Sequence, residues 1–245
     1  IIDRWVDLQR VKISDDPAEL VELAKQAVYE DQIEMRQEIA RNDATPPALL
    51  SDLAKYDEPE TKAIIATNPT TPLETQLELA VYDEGDPEGS VLDALVSATE
   101  FPQVLTKLAS LEFPVVEPPR GVPGSSTSEP DYHSQALRAG IAQNPFTPPK
   151  ILRQYAKLSN EEDDKGWIRM GLVRNRKVPL DVLETLAKLG GDDRPKGKHR
   201  VGDSPEKIAD FAKKTLAILM DYEGAGDRDV EIAPIAQAHR RQHGQ

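Results

Sequence analysis

KAIIATNPTTPLETQLELAVY (62–82) is the stretch whose reading decides the fold, because it recurs. RQEIARNDATPPALLSDLAKY (36–56), LRAGIAQNPFTPPKILRQYAKL (137–158) and IRMGLVRNRKVPLDVLETLAKL (168–189) repeat its order: a short apolar run, an Asn, a Thr-Pro or its equivalent, and a longer apolar helix pattern. Repetition at this scale marks a stacked array of short helical units, in which each unit buries its apolar face only against its neighbours.

The prolines give the period. Pro17, Pro46, Pro72, Pro102, Pro148, Pro179 and Pro205 each precede an apolar helical pattern, at spacings of 29, 26, 30, 46, 31 and 26 residues. The one long gap contains VVEPPRGVPGSSTSEP (115–130), whose Pro, Ser and Gly content and lack of hydrophobic period read as an inserted loop. The organisation expected is therefore acidic helical repeats over 1–110, a Pro/Ser-rich insertion over 111–136, basic helical repeats with a closing helix over 137–222, and a tail over 223–245.

Each residue of the phrase has a physical task. Asn42, Asn68, Asn144 and Asn175 follow apolar runs, where Asn tolerates the left-handed conformation that ends a helix. Thr45, Thr71 and Thr147 precede Pro46, Pro72 and Pro148, the order expected when a hydroxyl caps a helix whose first residue is proline. Thr71 with Glu74, and Asp16 with Glu19, have the spacing of a reciprocal cap. Within the helices that follow, Leu49, Leu50, Leu53 and Ala54 make one apolar stripe, repeated by Ile151, Leu152, Tyr155 and Ala156 and by Val182, Leu183, Leu186 and Ala187. Ala24, Ala54, Ala80, Ala109, Ala156 and Ala187 recur at one place, where close helix approach is expected. The shorter runs Ile39-Ala40, Ile65-Ala66, Ile141-Ala142 and Leu172-Val173 supply a second helix, so each unit reads as a helix pair.

Arg or Lys, then Ile-Ala-x-Asn, Thr-Pro and a Leu-Leu-x-x-Leu-Ala helix together resemble the repeats of the leucine-rich repeat variant proteins. The match is good over 36–82 and 137–189 and partial over 13–35, 91–110 and 204–221. HEAT-type helical repeats are the nearest competing resemblance. The resemblance implies an all-α, right-handed solenoid with 3₁₀ elements among its helices, here of about seven helix-pair units. A cysteine-rich iron–sulfur module known in that family has no counterpart, since the chain contains no Cys; no cofactor is expected.

Composition bounds function. With 245 residues, 38% apolar and 30% charged, the chain suits an extended helical body with much surface, and 5% aromatics leave little for a large ligand cage. No apolar stretch approaches the roughly 20 residues needed to cross a bilayer, and no basic-then-apolar leader opens the chain. Absence of Cys is compatible with a reducing compartment, so a cytoplasmic location without membrane association is expected.

Charge is divided unevenly. Residues 1–136 carry 10 Lys and Arg against 27 Asp and Glu, whereas 137–200 carry 14 against 8, within an overall net charge of −13. The acidic total argues against a dedicated nucleic-acid binder. Asp57, Glu58, Glu60, Asp83, Glu84 and Asp86, at inter-repeat turns, are candidate contacts for a basic protein segment. Arg138, Arg169, Arg174, Arg176 and Lys177, with Lys196, Lys198 and Arg200 in the following loop, are candidate contacts for an anionic partner if stacking aligns them into a stripe. In both halves a solvated, screened surface is the plain alternative.

Motifs for catalysis fail on inspection. His239 and His243 have metal-ligand spacing but no intervening Glu and lie in the tail. DYEGAGDRDVEI (221–232) lacks the closing Glu of a calcium loop. Gly224-Ala225-Gly226 lacks a third glycine. Glu161 to Asp164 form a run in a turn, and His133 has no evident catalytic partner. Trp5 and Trp167 read as packing residues. The function expected is a noncatalytic protein-interaction scaffold, without a metal; the alternative is a nucleic-acid-binding repeat protein using 137–200.

Overall fold

The computed structural model describes residues 2–27, 32–56, 58–83, 85–86, 89–112, 132–159, 162–163, 166–189 and 204–223, with side chains described from 6, from 134 and up to 219 at the three outer helix ends. The described residues are all-helical. Two compact units divide the chain at 113/114. The first contains α1 (Ile2–Ile13), α2 (Pro17–Gln26), α3 (Ile33–Arg41), α4 (Pro47–Leu53), α5 (Pro59–Thr67), α6 (Leu73–Leu79), α7 (Ser90–Ala98) and α8 (Pro102–Ala109); the second contains α9 (Tyr132–Gln143), α10 (Pro149–Tyr155), α11 (Trp167–Arg174), α12 (Leu180–Ala187) and α13 (Pro205–Glu223). The helices on both sides of each Asn turn are α-helices, rather than alternating with 3₁₀ elements as the resemblance implies.

Within the first unit α1, α3, α5 and α7 pack each on the next, and each is joined to the helix that follows it. Within the second, α9 packs on α11 and α11 on α13, which also covers α12. The apolar stripes read from sequence supply the core: Leu50, Leu53, Ile151, Leu152, Tyr155, Val182, Leu183 and Leu186 are buried, as are Ile39, Ile65, Ile141 and Leu172 from the preceding helices. Helices of seven to twelve residues are too short to be stable alone. Their persistence depends on this repeat-to-repeat burial.

The repeated Asn has a different role from the one its sequence position suggests. Asn42, Asn68 and Asn175 are extended, with φ near −70° and ψ of 120° to 126°, and not left-handed. The reason is the use made of the side chain. Asn68 Nδ2 donates to the carbonyls of Ala40 (2.8 Å) and Asn42 (3.2 Å), which belong to the preceding repeat. Asn42 does the same to Val11 and Ser14, and Asn175 to Ala142 and Asn144. Each Oδ1 accepts the N–H two residues on, at Ala44, Thr70, Phe146 and Lys177. One carboxamide therefore closes its own turn and satisfies helix-end carbonyls of its neighbour.

The Thr hydroxyls also point backward. The residues at the helix N-caps are Pro46, Pro72, Pro148 and Pro179, and none has a side-chain cap. Buried Thr45, Thr71 and Thr147 instead donate to the carbonyls of Ile39, Ile65 and Ile141, so they complete the preceding helix. The Thr71–Glu74 reciprocal cap is accordingly not formed. Asp16 does cap α2, accepting from Ala18 N–H at 2.9 Å, but Glu19 turns instead to Arg10 and Ser14.

The alanine row lies at helix C-termini. Ala80 and Ala156 are buried while Ala24, Ala54, Ala109 and Ala187 are only half-buried. The tightest approach recorded is elsewhere, at buried Gly171 of α11. A Cβ there would stand 2.5 Å from the Ala139 carbonyl oxygen and 3.1 Å from the Ala142 Cβ of α9. Backbone cannot yield as a flexible side chain would. Gly171→Ala is therefore expected to force α9 and α11 apart and lower stability by about 1–3 kcal/mol; chemical denaturation checks this, and unchanged stability would show that the helices separate freely.

Candidate interaction surfaces on the charged turns

Six residues before each repeated Asn stands a cation: Arg36, Lys62, Arg138 or Arg169. These side chains belong mainly to the inside of the repeats. Arg36 is 1% exposed; its Nη1 donates to the Ala27 carbonyl at the end of α2 (2.8 Å), it pairs with Glu58, and its guanidinium lies 4.6 Å from the centre of the Tyr56 ring. Arg169, 3% exposed, donates to the Leu158 carbonyl beyond α10, with Nε 3.9 Å from Asp163 Oδ2. Burial pulls the Arg169 pKa down, while Asp163 and then Glu162 oppose it. Lys62 stands 3.6 Å from Asp83. A cation over a helix C-terminus is favourable toward its free carbonyls and dipole. At the fourth position Arg138 is half-buried and donates to no carbonyl among the described residues.

The same geometry removes several acids from the candidate surface. Glu58 is half-buried against Arg36, while Asp83 faces Lys62 but remains exposed. Asp86 is buried: Oδ1 accepts from the Ser90 N–H and hydroxyl, and Oδ2 from Val91 N–H, at 2.9 to 3.0 Å. Asp163 performs the identical task for α11, accepting from Ile168 and Arg169 N–H at 3.1 and 3.0 Å. Both helices begin after a glycine at φ 68°, Gly89 and Gly166, a left-handed conformation that residues with a Cβ adopt only under strain. Asp-x-x-Gly at 86–89 and 163–166 was the available signal for these capped starts. Of the described acidic candidates, Glu60 and Asp83 are exposed, Asp83 standing beside Lys62.

Exposed cations remain at one turn of the second unit. Arg174, Arg176 and Lys177 surround Asn175 and none forms an ion pair among the described residues. The turn beneath them is fixed by Asn175, whose amide donates at 2.7 Å to the Asn144 carbonyl and whose Oδ1 accepts from Lys177 N–H. Lys177 Nζ lies 4.6 Å from the centre of the Phe146 ring on the neighbouring turn, a cation–π contact. Among the described residues, buried Arg169 does not share a surface with Arg174, Arg176 and Lys177. Arg138 is half-buried, and the neighbouring turn at Asn144 is flanked by uncharged Gln143, Pro145 and Phe146. Asp57, Glu84, Lys196, Lys198, Arg200, most of the insertion 111–136, the loop 190–203 and the tail with His239 and His243 lie outside the described residues, as do the side chains of Trp5 and His133. Trp167 opens α11 and is half-buried.

Other charged contacts join repeats at the surface. Arg153 of α10 grips Asp181 of α12 through Nε (2.6 Å) and Nη2 (3.2 Å), and Lys107 Nζ donates to the Leu77 carbonyl at 2.6 Å. The Arg153 guanidinium holds the Asp181 carboxyl below its ordinary range. None of the described helices is long and apolar enough to cross a membrane.

Tyr155 is the polar exception in an apolar row. It replaces the Leu found at the equivalent places 53, 79 and 186, and its buried hydroxyl has no hydrogen-bond partner among the described residues. Burial pushes its pKa up from 10.0 to about 12, with the charge of Arg138 acting in the opposite direction. Because the folded value exceeds the unfolded one, the neutral phenol's contribution is complete below pH 10 and is lost as pH rises through about 12. Tyr155→Phe is expected to retain stability at neutral pH and to lessen unfolding over that alkaline window. Denaturation curves collected from neutral to alkaline pH check both expectations; a large loss at neutral pH would mean that the hydroxyl is bonded.

Compared with protein families, curated proteins and solved structures, the chain gives no match.

Proposed function

We propose that this chain is a noncatalytic scaffold for protein–protein interaction, built as a right-handed α-solenoid of about seven helix-pair repeats of leucine-rich repeat variant or HEAT-like type. The cytoplasm is the compartment this reading favours. The observation that carries it is the division of labour among polar side chains. Asn68, Asn175, Thr71, Thr147, Arg36 and Asp86 are buried and engaged in holding turns and repeats together. Charges such as Glu60, Arg174 and Arg176 stand on exposed positions that the repeats themselves do not use. Stacked repeats place such positions along continuous edges, where many weak contacts add into recognition of a macromolecule.

The alternative is a nucleic-acid-binding repeat protein acting through 137–200, favoured by the local excess of Lys and Arg there. Affinity capture with the full chain from its native lysate, with and without nuclease and at low and high salt, separates the two. The scaffold reading expects a defined protein to be retained after nuclease treatment. Retention that disappears with nuclease, or a nucleic acid as the sole retained species, contradicts it.

A further inference from the structure

The turn around Asn175 brings three exposed cations together within four residues. In the first unit Arg10, Lys25, Arg41 and Lys55 are exposed but each is held by an acid at 2.5 to 2.8 Å. Arg174, Arg176 and Lys177 are exposed without such a partner among the described residues. Asp181, the nearest acid along the chain on the C-terminal side, is engaged by Arg153 and does not neutralise them. Lys177 is oriented by the Phe146 ring and the turn by two Asn175 amide bonds to the preceding repeat. The cations are thus presented on a fixed backbone, which lowers the entropy lost when a partner binds. Three residues along the chain from Lys177, Leu180 opens α12 with 40% of its surface exposed, an apolar side chain close in sequence to the basic group.

We propose that the Asn175 turn is a docking site for a short acidic protein segment carrying an apolar residue next to its carboxylates, an inference that rests on the scaffold reading above. Arg174 and Arg176 offer planar donor pairs suited to carboxylates, Lys177 supplies a third positive charge, and Leu180 receives the apolar side chain. Nucleic acid fits this site less well. Its affinity grows with the number of phosphates neutralised, and among the described residues the neighbouring turn offers only uncharged Gln143, Pro145 and Phe146. Among the described residues the neighbouring turn adds no charge, and three cations with an apolar residue close by in sequence match a compact acidic peptide.

The test titrates the full chain by fluorescence anisotropy, across a salt series, with three labelled probes of equal charge: a peptide alternating Glu with Leu, a peptide of Glu with Gly, and a single-stranded oligonucleotide. The Glu–Leu peptide is expected to bind most tightly. The combined variant Arg174→Gln, Arg176→Gln and Lys177→Gln should weaken it roughly tenfold or more, whereas Lys188→Gln with Lys213→Gln, exposed cations elsewhere, should leave it unchanged. Leu180→Ser should weaken the Glu–Leu peptide and spare the Glu–Gly peptide. Circular dichroism confirms that these surface variants remain folded. Tighter binding of the oligonucleotide, equal loss in the control variant, or no peptide binding at low salt overturns the proposal. If a partner protein captured from lysate is retained equally by the triple variant, this site falls while the scaffold reading stands.

Discussion

A carboxamide that reaches from one repeat into the next is the interaction on which the rest depends. Asn68 and Asn175 each span the turn they sit in and donate to two carbonyls of the preceding repeat. Those carbonyls lie at or just beyond helix ends, where no intrahelical donor remains. Burying them between repeats without partners would cost about 1–3 kcal/mol each. The Asn thus permits short helices to stack with their ends inside the core, and it sets the spacing of the turns that carry exposed charge.

Around this contact the other repeated residues fall into a consistent set. The Thr hydroxyl returns to the carbonyl three residues before the Asn, and the cation six residues before it, at Arg36 and Arg169, covers the end of the previous proline-started helix. The Asp-x-x-Gly connections at 86–89 and 163–166 start α7 and α11 by accepting two backbone N–H groups each. Polar groups are therefore distributed so that helix ends are satisfied by the neighbouring repeat. Those bonds do not require the turn positions beside the Asn, which are the ones proposed for recognition.

Much of the architecture was legible because it depends on periodicity. Leu50, Leu53, Leu183 and Leu186 read as one buried stripe from their spacing, and they are buried. The direction of the polar contacts was not legible. Thr71 before Pro72 has the local order of an N-cap, yet its buried hydroxyl turns back to the Ile65 carbonyl, whose second lone pair accepts it beside the Asn68 N–H. Asn68 looks like a left-handed helix stop until the preceding repeat is present to accept its amide. Arg169 and Arg174 are equally basic in sequence, but one is 3% exposed and the other lies on the surface. Only three-dimensional stacking distinguishes a cation that covers a helix end from one that is free to meet a partner.

The central claim is that the Asn side chain couples neighbouring repeats and does more than shape its own turn. Native-state amide hydrogen exchange on Asn175→Ala tests it most directly, since protection can be followed helix by helix. The account predicts faster exchange on both sides of the contact, in α9 as well as α11, at equal global denaturant concentration. Faster exchange confined to the amides of residues 175–178, with α9 fully protected, would contradict it.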